Sequence, residues 1–252
     1  MTTTVRTTAT KRAPMTSLRK TALVAGALYL LTFVSIPTLF FYTEVKNPNF
    51  IVGPGPDTGA IVGCILELIV ALACIGTAVT LFPVVKRQNE GIALGFVGTR
   101  VLEAGTIFAG VACLLSVVTL RQTGAGADAL VTGQTLIILY NRTFLIGQGF
   151  IPAVNALLLG SLLYQARLVP RILPLIGFVG ALLLVASDIG TLFGLWGQFS
   201  GVAALAALPI AVWEFSLGVW LVVKGFKPSP ILTSERRDAE KNSPLAPAAA
   251  AQ

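Results

Sequence analysis

Six stretches of this chain run for about twenty residues or more with very little charge. They are approximately Thr21 to Tyr42, Thr58 to Val85, Ile92 to Leu120, Gln134 to Tyr164, Ile172 to Trp196 and Gly201 to Val223. A helix needs about 20 mostly apolar residues to cross roughly 30 Å of hydrocarbon. Lipid offers no partner to backbone N–H and C=O groups, so each must be paired inside its own helix or in a closed barrel. The runs are continuous and do not alternate, which excludes a barrel. The expectation is an all-α, polytopic transmembrane helical bundle of six spans. Composition agrees, because only 12% of the 252 residues are charged, against roughly 25% in an ordinary soluble domain.

Residues 19–227 are expected to form this one transmembrane domain. The tail 1–18 is rich in Thr and carries Arg6, Lys11 and Arg12. The tail 228–252 mixes Pro, Ala and charges. Both read as disordered. Arg19 and Lys20 precede the first run as they would in a signal peptide. The run exceeds the 7–15 residues, roughly, of a cleavable apolar segment, so a retained span is expected. The chain has no histidine, which removes histidine-ligated haem, HExxH zinc sites and Ser-His-Asp catalysis. Cys64, Cys74 and Cys113 lie within spans without a CxxC spacing and read as small apolar residues. Soluble enzymes, disordered proteins and disulfide-stapled secreted domains are excluded together. No metal, cofactor or nucleic-acid partner is expected.

Lysine and arginine orient a bundle of this kind. One side collects Arg6, Lys11, Arg12, Arg19, Lys20, Lys86, Arg87, Arg167, Arg171, Lys224, Lys227, Arg236, Arg237 and Lys241, fourteen of the eighteen basic residues. The opposite loops hold Lys46 and Arg121, and Arg100 and Arg142 fall inside spans. Both termini are therefore expected in the cytoplasm, with the protein multi-pass in the plasma membrane. An even number of spans is then required, as counted. The net charge of +7 is a topology signal rather than a nucleic-acid surface.

Four stretches recur together in a known pattern. They are Leu23–Leu31 (LVAGALYLL), Gly98–Ala104 (GTRVLEA), Ala166–Leu173 (ARLVPRIL) and Glu214–Phe226 (EFSLGVWLVVKGF). The pattern, over about Arg19 to Lys227, resembles the bacterial integral membrane family catalogued as domain of unknown function 4386. The resemblance implies a membrane domain of six or seven helices. It brings no activity, substrate, cofactor or site residue with it.

Ionisable groups inside spans cost roughly 2.5–3.5 kcal/mol each on insertion scales, which makes them functional candidates. Six are present: Glu67, Arg100, Glu103, Arg142, Asp188 and Glu214. Counting along each span places them in two layers. Glu67, Arg142 and Asp188 form an outer layer, and Arg100, Glu103 and Glu214 an inner one. Arg100 and Glu103 are three apart and share a helix face, and Arg100 is expected to reach Glu214 across the bundle. Four acids face two arginines. A surplus carboxylate in low dielectric takes up a proton or meets a cation or water. Arg142, near a span end, has the alternative of snorkelling to the interface. Glu103 and Glu214 cannot snorkel easily and are the leading functional candidates.

The fourth span carries a polar stripe as well. Asn141, Gln148 and Asn155 are spaced by seven and are expected on one helix face as the wall of a polar cavity, with hydrogen bonding between helices as the plainer reading. Pro152 is expected to kink this span or loosen its hydrogen bonding. Gly91 with Gly95, and Gly190 with Gly194, have the spacing of close helix packing. Trp196 and Trp220 suit the interface, and Trp213 is deep enough to pack inside. The loop Asn47–Asp57 (NPNFIVGPGPD) reads as an ordered extracytoplasmic turn. The sequon at Asn141–Thr143 lies inside a span and is not read as a glycosylation site.

These observations support three kinds of function. In the first, the buried carboxylate/arginine cluster binds or moves a small molecule, proton or cation. No inverted repeat is visible, so a homo-oligomer would complete such a pathway. In the second, the protein is a structural or regulatory membrane scaffold whose buried charges only specify helix packing. In the third, it is an intramembrane enzyme using carboxylates as acid and base. No nucleophile, ligand set or cofactor motif supports the third, and no catalytic residue is assigned. The lipid bilayer is the one certain partner.

Overall fold

The computed structural model describes residues 15–232, and those residues are all helix, turn and loop. Six helical segments are long and apolar enough to span a membrane: Ser17–Ser35, Thr58–Val85, Glu90–Gln122, Ala127–Ala166, Ile172–Leu192 and Gly201–Val223. The all-helical, six-span architecture is thus the one read from the apolar runs. Their outward faces are apolar, with Leu72, Leu182 and Leu205 each more than 60% exposed. In water such surfaces would be a liability, and against acyl chains they are the expected finish.

The helices are α1 (Ser17–Leu31), α2 (Thr38–Phe41), α3 (Thr58–Val85), α4 (Glu90–Gln122), α5 (Leu130–Phe144), α6 (Ile151–Ala166), α7 (Ile172–Leu192) and α8 (Gly201–Val223). Three starts carry side-chain caps. Thr16 accepts from the Arg19 amide, Asn89 from Ile92 and Ser200 from Ala203, each supplying an acceptor for an orphan first-turn N–H. The fourth span is α5 and α6 joined through a π-helical turn, Leu145–Phe150. Pro152 follows at once. Its ring and missing N–H disrupt a regular ladder, and the widened turn accommodates both. The expected disturbance beside Pro152 takes the form of this π turn.

The spans close into a ring. Each packs against the next in chain order, and α8 packs back onto α1. The closest backbone-to-backbone approaches at glycines are at Gly26 and Gly180. A Cβ on Gly26 would lie 2.7 Å from Gly218 O, and one on Gly180 would lie 2.7 Å from Ile210 N. Neither belongs to the glycine pairs picked out by spacing. Of those pairs, Gly190 makes room for the ring of Trp196, and Gly194 takes a left-handed turn (φ 73°) that ends α7. Trp213 is buried at 1% exposure, against Gly177. Two apolar cores form, one around Phe96, Leu159 and Leu217 and the other around Tyr42, Ile107 and Leu114.

Several boundaries differ from expectation. The first span ends at Ser35, not Tyr42. Thr32 and Ser35 donate their hydroxyls back to Tyr29 O and Thr32 O, and Pro37 has no N–H to extend the ladder. Tyr42 thereby leaves the span and joins the following segment. The fifth span ends at Leu192, leaving Trp196 in a turn. The bundle also reaches beyond 19–227. Ser17 and Leu18 are helical, and Ser229 is buried with its hydroxyl on Ala166 O. The remaining tail segments, 1–14 and 233–252, lie outside the described residues. The loop Asn47–Asp57 is an ordered turn pinned by Arg121, which pairs with Asp57 at 3.2 Å and donates to Gly53 O at 3.0 Å.

Candidate functional site

Arg100 stands on α4 between the two apolar cores, with Phe96 one turn toward one and Ala104 one turn toward the other. It is 1% exposed. A guanidinium there must spend its donors on the protein. Nη1 donates to Glu103 Oε2 at 3.0 Å and to Cys74 Sγ at 3.5 Å. Nη2 donates to Glu214 Oε1 at 2.9 Å and to Tyr29 OH at 3.1 Å. The cation also lies 5.1 Å from the centroid of the Tyr29 ring. Nε is buried without an acceptor among the described residues.

Glu103 extends the network. Its Oε2 accepts from Asn155 Nδ2 at 2.7 Å, and Asn155 Oδ1 takes the hydroxyl of Thr99. Five spans thus meet at one cluster: α1 through Tyr29, α3 through Cys74, α4 through Arg100, Glu103 and Thr99, α6 through Asn155, and α8 through Glu214. The sixth, α7, supplies Leu184 to the wall of an adjoining cavity.

That cavity is about 250 Å³. Arg100, Glu103, Glu214, Gln148 and Pro152 line it together with apolar Val70 and Ile210. It reaches the bundle surface beside Phe33 and Ile36 at the end of the first span, where Ile36 is exposed. Phe33 meets Phe215 of α8 edge to face at 5.4 Å next to Glu214. Glu214 is the more open of the two carboxylates, with 17% of its side chain exposed against 7% for Glu103. One arginine serves two carboxylates, so the ionised cluster carries one negative charge in excess, and that excess borders the cavity.

A second polar group lies toward the other end of the bundle. Glu67 on α3 is 1% exposed, and its Oε1 accepts from Tyr140 OH at 2.9 Å. Tyr42 stacks on Tyr140 edge to face at 5.6 Å, and Gln148 also faces Glu67. Above them Lys46 projects into an aromatic cage, 4.4 Å from the Phe199 ring centroid, 4.9 Å from that of Tyr140 and 6.0 Å from that of Tyr42. Burial pushes the Lys46 ammonium below the usual lysine range, and Glu67 opposes that shift. Burial, and then Glu67, pushes the Tyr42 phenol up. Gln148 therefore belongs to both groups, since it also lines the cavity.

The outer layer expected from counting does not assemble as a unit. Arg142 points to the exposed surface and makes no ion pair among the described residues. Asp188 is buried on α7, against the backbone of Gly149 in the π-helical turn, and its Oδ2 has no hydrogen-bond partner among the described residues. The expected stripe is interrupted as well. Gln148 lines the cavity and Asn155 joins the cluster, but Asn141 lines neither. The π turn inserts one extra residue between them. Eight positions back from Gln148, rather than seven, face inward, and Tyr140 takes the place of Asn141.

Some participants carried little sequence signal. Tyr29 sits in an apolar run, Cys74 reads as a small apolar residue, and Lys46 lies outside the spans. In the π turn, Gly147 and Gly149 let Thr106 and Asp188 approach its backbone.

With this geometry in place, comparison with known proteins adds one finding. No curated protein and no solved structure matches the chain. The family model for a domain of unknown function, DUF4386, matches residues 24–225, a range that contains all six spans except the first turns of α1, and every member of both polar groups. The chain therefore belongs to the DUF4386 family of membrane proteins.

Proposed function

We propose that this membrane protein binds a small, positively charged molecule in the cavity beside Glu214, with the Arg100 cluster holding the site in shape. The observation that carries this reading is the one-to-two ratio of arginine to carboxylate at the edge of a 250 Å³ space. A charge deficit inside a bundle is relieved by a proton or by a cationic group. The cavity mouth lies among apolar residues just after α1 and on α8, so the route of entry would be lateral, and the occupant would be small and amphipathic. Proton uptake at Glu214 in the absence of such a molecule follows from the same deficit. The termini are placed in the cytoplasm, and the membrane is taken to be the plasma membrane.

Hexylamine and hexanol provide a matched pair of probes, alike in shape and different in charge. The purified protein in neutral detergent should show a rise in Tm with hexylamine and none with hexanol. Glu214→Gln should abolish the difference. Equal responses to the two probes, or an unchanged hexylamine response in Glu214→Gln, would refute the proposal and favour a scaffold whose charges only hold helices together.

A further inference from the structure

We propose that the end of the bundle where α1 begins and α8 ends is a binding site for the phosphate head group of an anionic phospholipid. A second cavity, about 410 Å³, opens there, remote from the Arg100 cluster. Arg19, Lys224 and Lys227 line it, and no carboxylate among the described residues does. The walls also include Thr16 and Ser229 and the apolar side chains of Leu18, Phe226 and Leu232. Three cations around one space, with no counter-charge among the described residues, form an electrostatic mould for a multiply bonded anion.

The cavity is held by specific contacts and is more than a group of loose side chains. Arg19 Nη1 donates to Leu221 O at 2.8 Å and Nη2 to Val222 O at 2.5 Å, satisfying the carbonyls at the end of α8. Gly225 turns the chain in the left-handed region (φ 73°), and a Cβ there would press on Arg19 Nη1. The Lys227 amide donates to Leu168 O at 2.8 Å, tying the segment to the α6–α7 link. Lys224 and Lys227 are exposed, so their ammonium groups are not committed to the interior.

Phosphate-bearing solutes share the recognised chemistry. The apolar Leu18, Phe226 and Leu232 beside the cations, at the ends of two spans, favour a lipid over free phosphate. Juxtamembrane Lys and Arg attract anionic head groups with about 1 kcal/mol each. That corresponds to about fivefold in affinity for each lysine, and about 25-fold for both.

The test uses the full-length chain in neutral detergent, with bound lipid counted by native mass spectrometry. Phosphatidylglycerol should bind at least tenfold better than phosphatidylcholine. Lys224→Gln/Lys227→Gln should lower phosphatidylglycerol binding about 25-fold, and Lys86→Gln/Arg171→Gln, which removes two charges from the same end but outside the cavity, should change it little. Arg19 is left intact, because it caps α8. Equal loss in both double variants would reduce the effect to diffuse attraction and overturn the site. Displacement of phosphatidylglycerol by millimolar inorganic phosphate would overturn the lipid assignment.

Discussion

Arg100 donates to two carboxylates, a phenol and a thiol, so its removal strands two acids in a setting with little water. Arg100→Gln should destabilise the protein by about 3–5 kcal/mol, the usual cost of breaking a buried charge pair from one side. Combining Arg100→Met with Glu103→Gln and Glu214→Gln should recover most of that loss. Thermal denaturation in detergent would measure both, and failure of the triple variant to recover would mean that the cluster's value lies elsewhere than in charge balance. Lys46 makes a separate prediction. Its folded pKa is lower than its ordinary value of 10.5. The charged form thus penalises folding at low pH, and the penalty fades as pH rises from the lowered value through 10.5. Across that window, stability should shift in favour of wild type relative to Lys46→Gln. Parallel pH profiles for the two proteins would contradict this account. The pairing of Arg100 with Glu103 is the part of the cluster that spacing alone displays, because three residues along a helix return to the same face. Tyr29, Cys74 and Glu214 come from distant segments and needed the fold to bring them in.

The π-helical turn in the fourth span decides which side chains enter the bundle. A regular helix would carry Asn141, Gln148 and Asn155 on one face. The extra residue turns Tyr140 inward to Glu67 and keeps Asn141 out of the cavity, its Oδ1 buried with no hydrogen-bond partner among the described residues. Tyr140→Phe should therefore cost about 1–3 kcal/mol by leaving a buried carboxylate oxygen unpaired. Asn141→Leu should stay within about 0.5 kcal/mol of wild type. The reverse order of the two melting temperatures would indicate that the span is regular in the membrane. A heptad spacing could not reveal this shift, since it presumes the regular period that the bulge breaks. Pro152 announced a disturbance, but not whether the chain would kink or add a residue.

At the scale of the whole molecule, up-and-down connectivity brings Arg19, Lys86, Arg167, Arg171, Lys224 and Lys227 to one end of the ring. The two basic residues of the other end are both engaged, Lys46 in its aromatic cage and Arg121 in the loop before α3. On the proposed orientation, with both ends of the chain cytoplasmic, Lys86→Cys should be labelled by a membrane-impermeant maleimide only after cells are opened, and Asp128→Cys in intact cells. The native cysteines are buried, which keeps the background low. Labelling of the two positions in the opposite order would invert the proposed orientation.

The sequence alone determined that the chain is a six-span helical bundle, because hydrocarbon imposes one solution on every long apolar run. It also determined which groups are costly enough to demand partners. It did not determine the partners. The spans are apolar nearly all round, so no amphipathic stripe marks which face of each helix turns inward. That rotation is settled by packing, through the close contacts of Gly26 and Gly180, the break before Pro37 and the extra residue ahead of Pro152. Only after those choices does Arg100 meet Glu214 and Tyr29, Tyr140 replace Asn141, and Arg142 face outward.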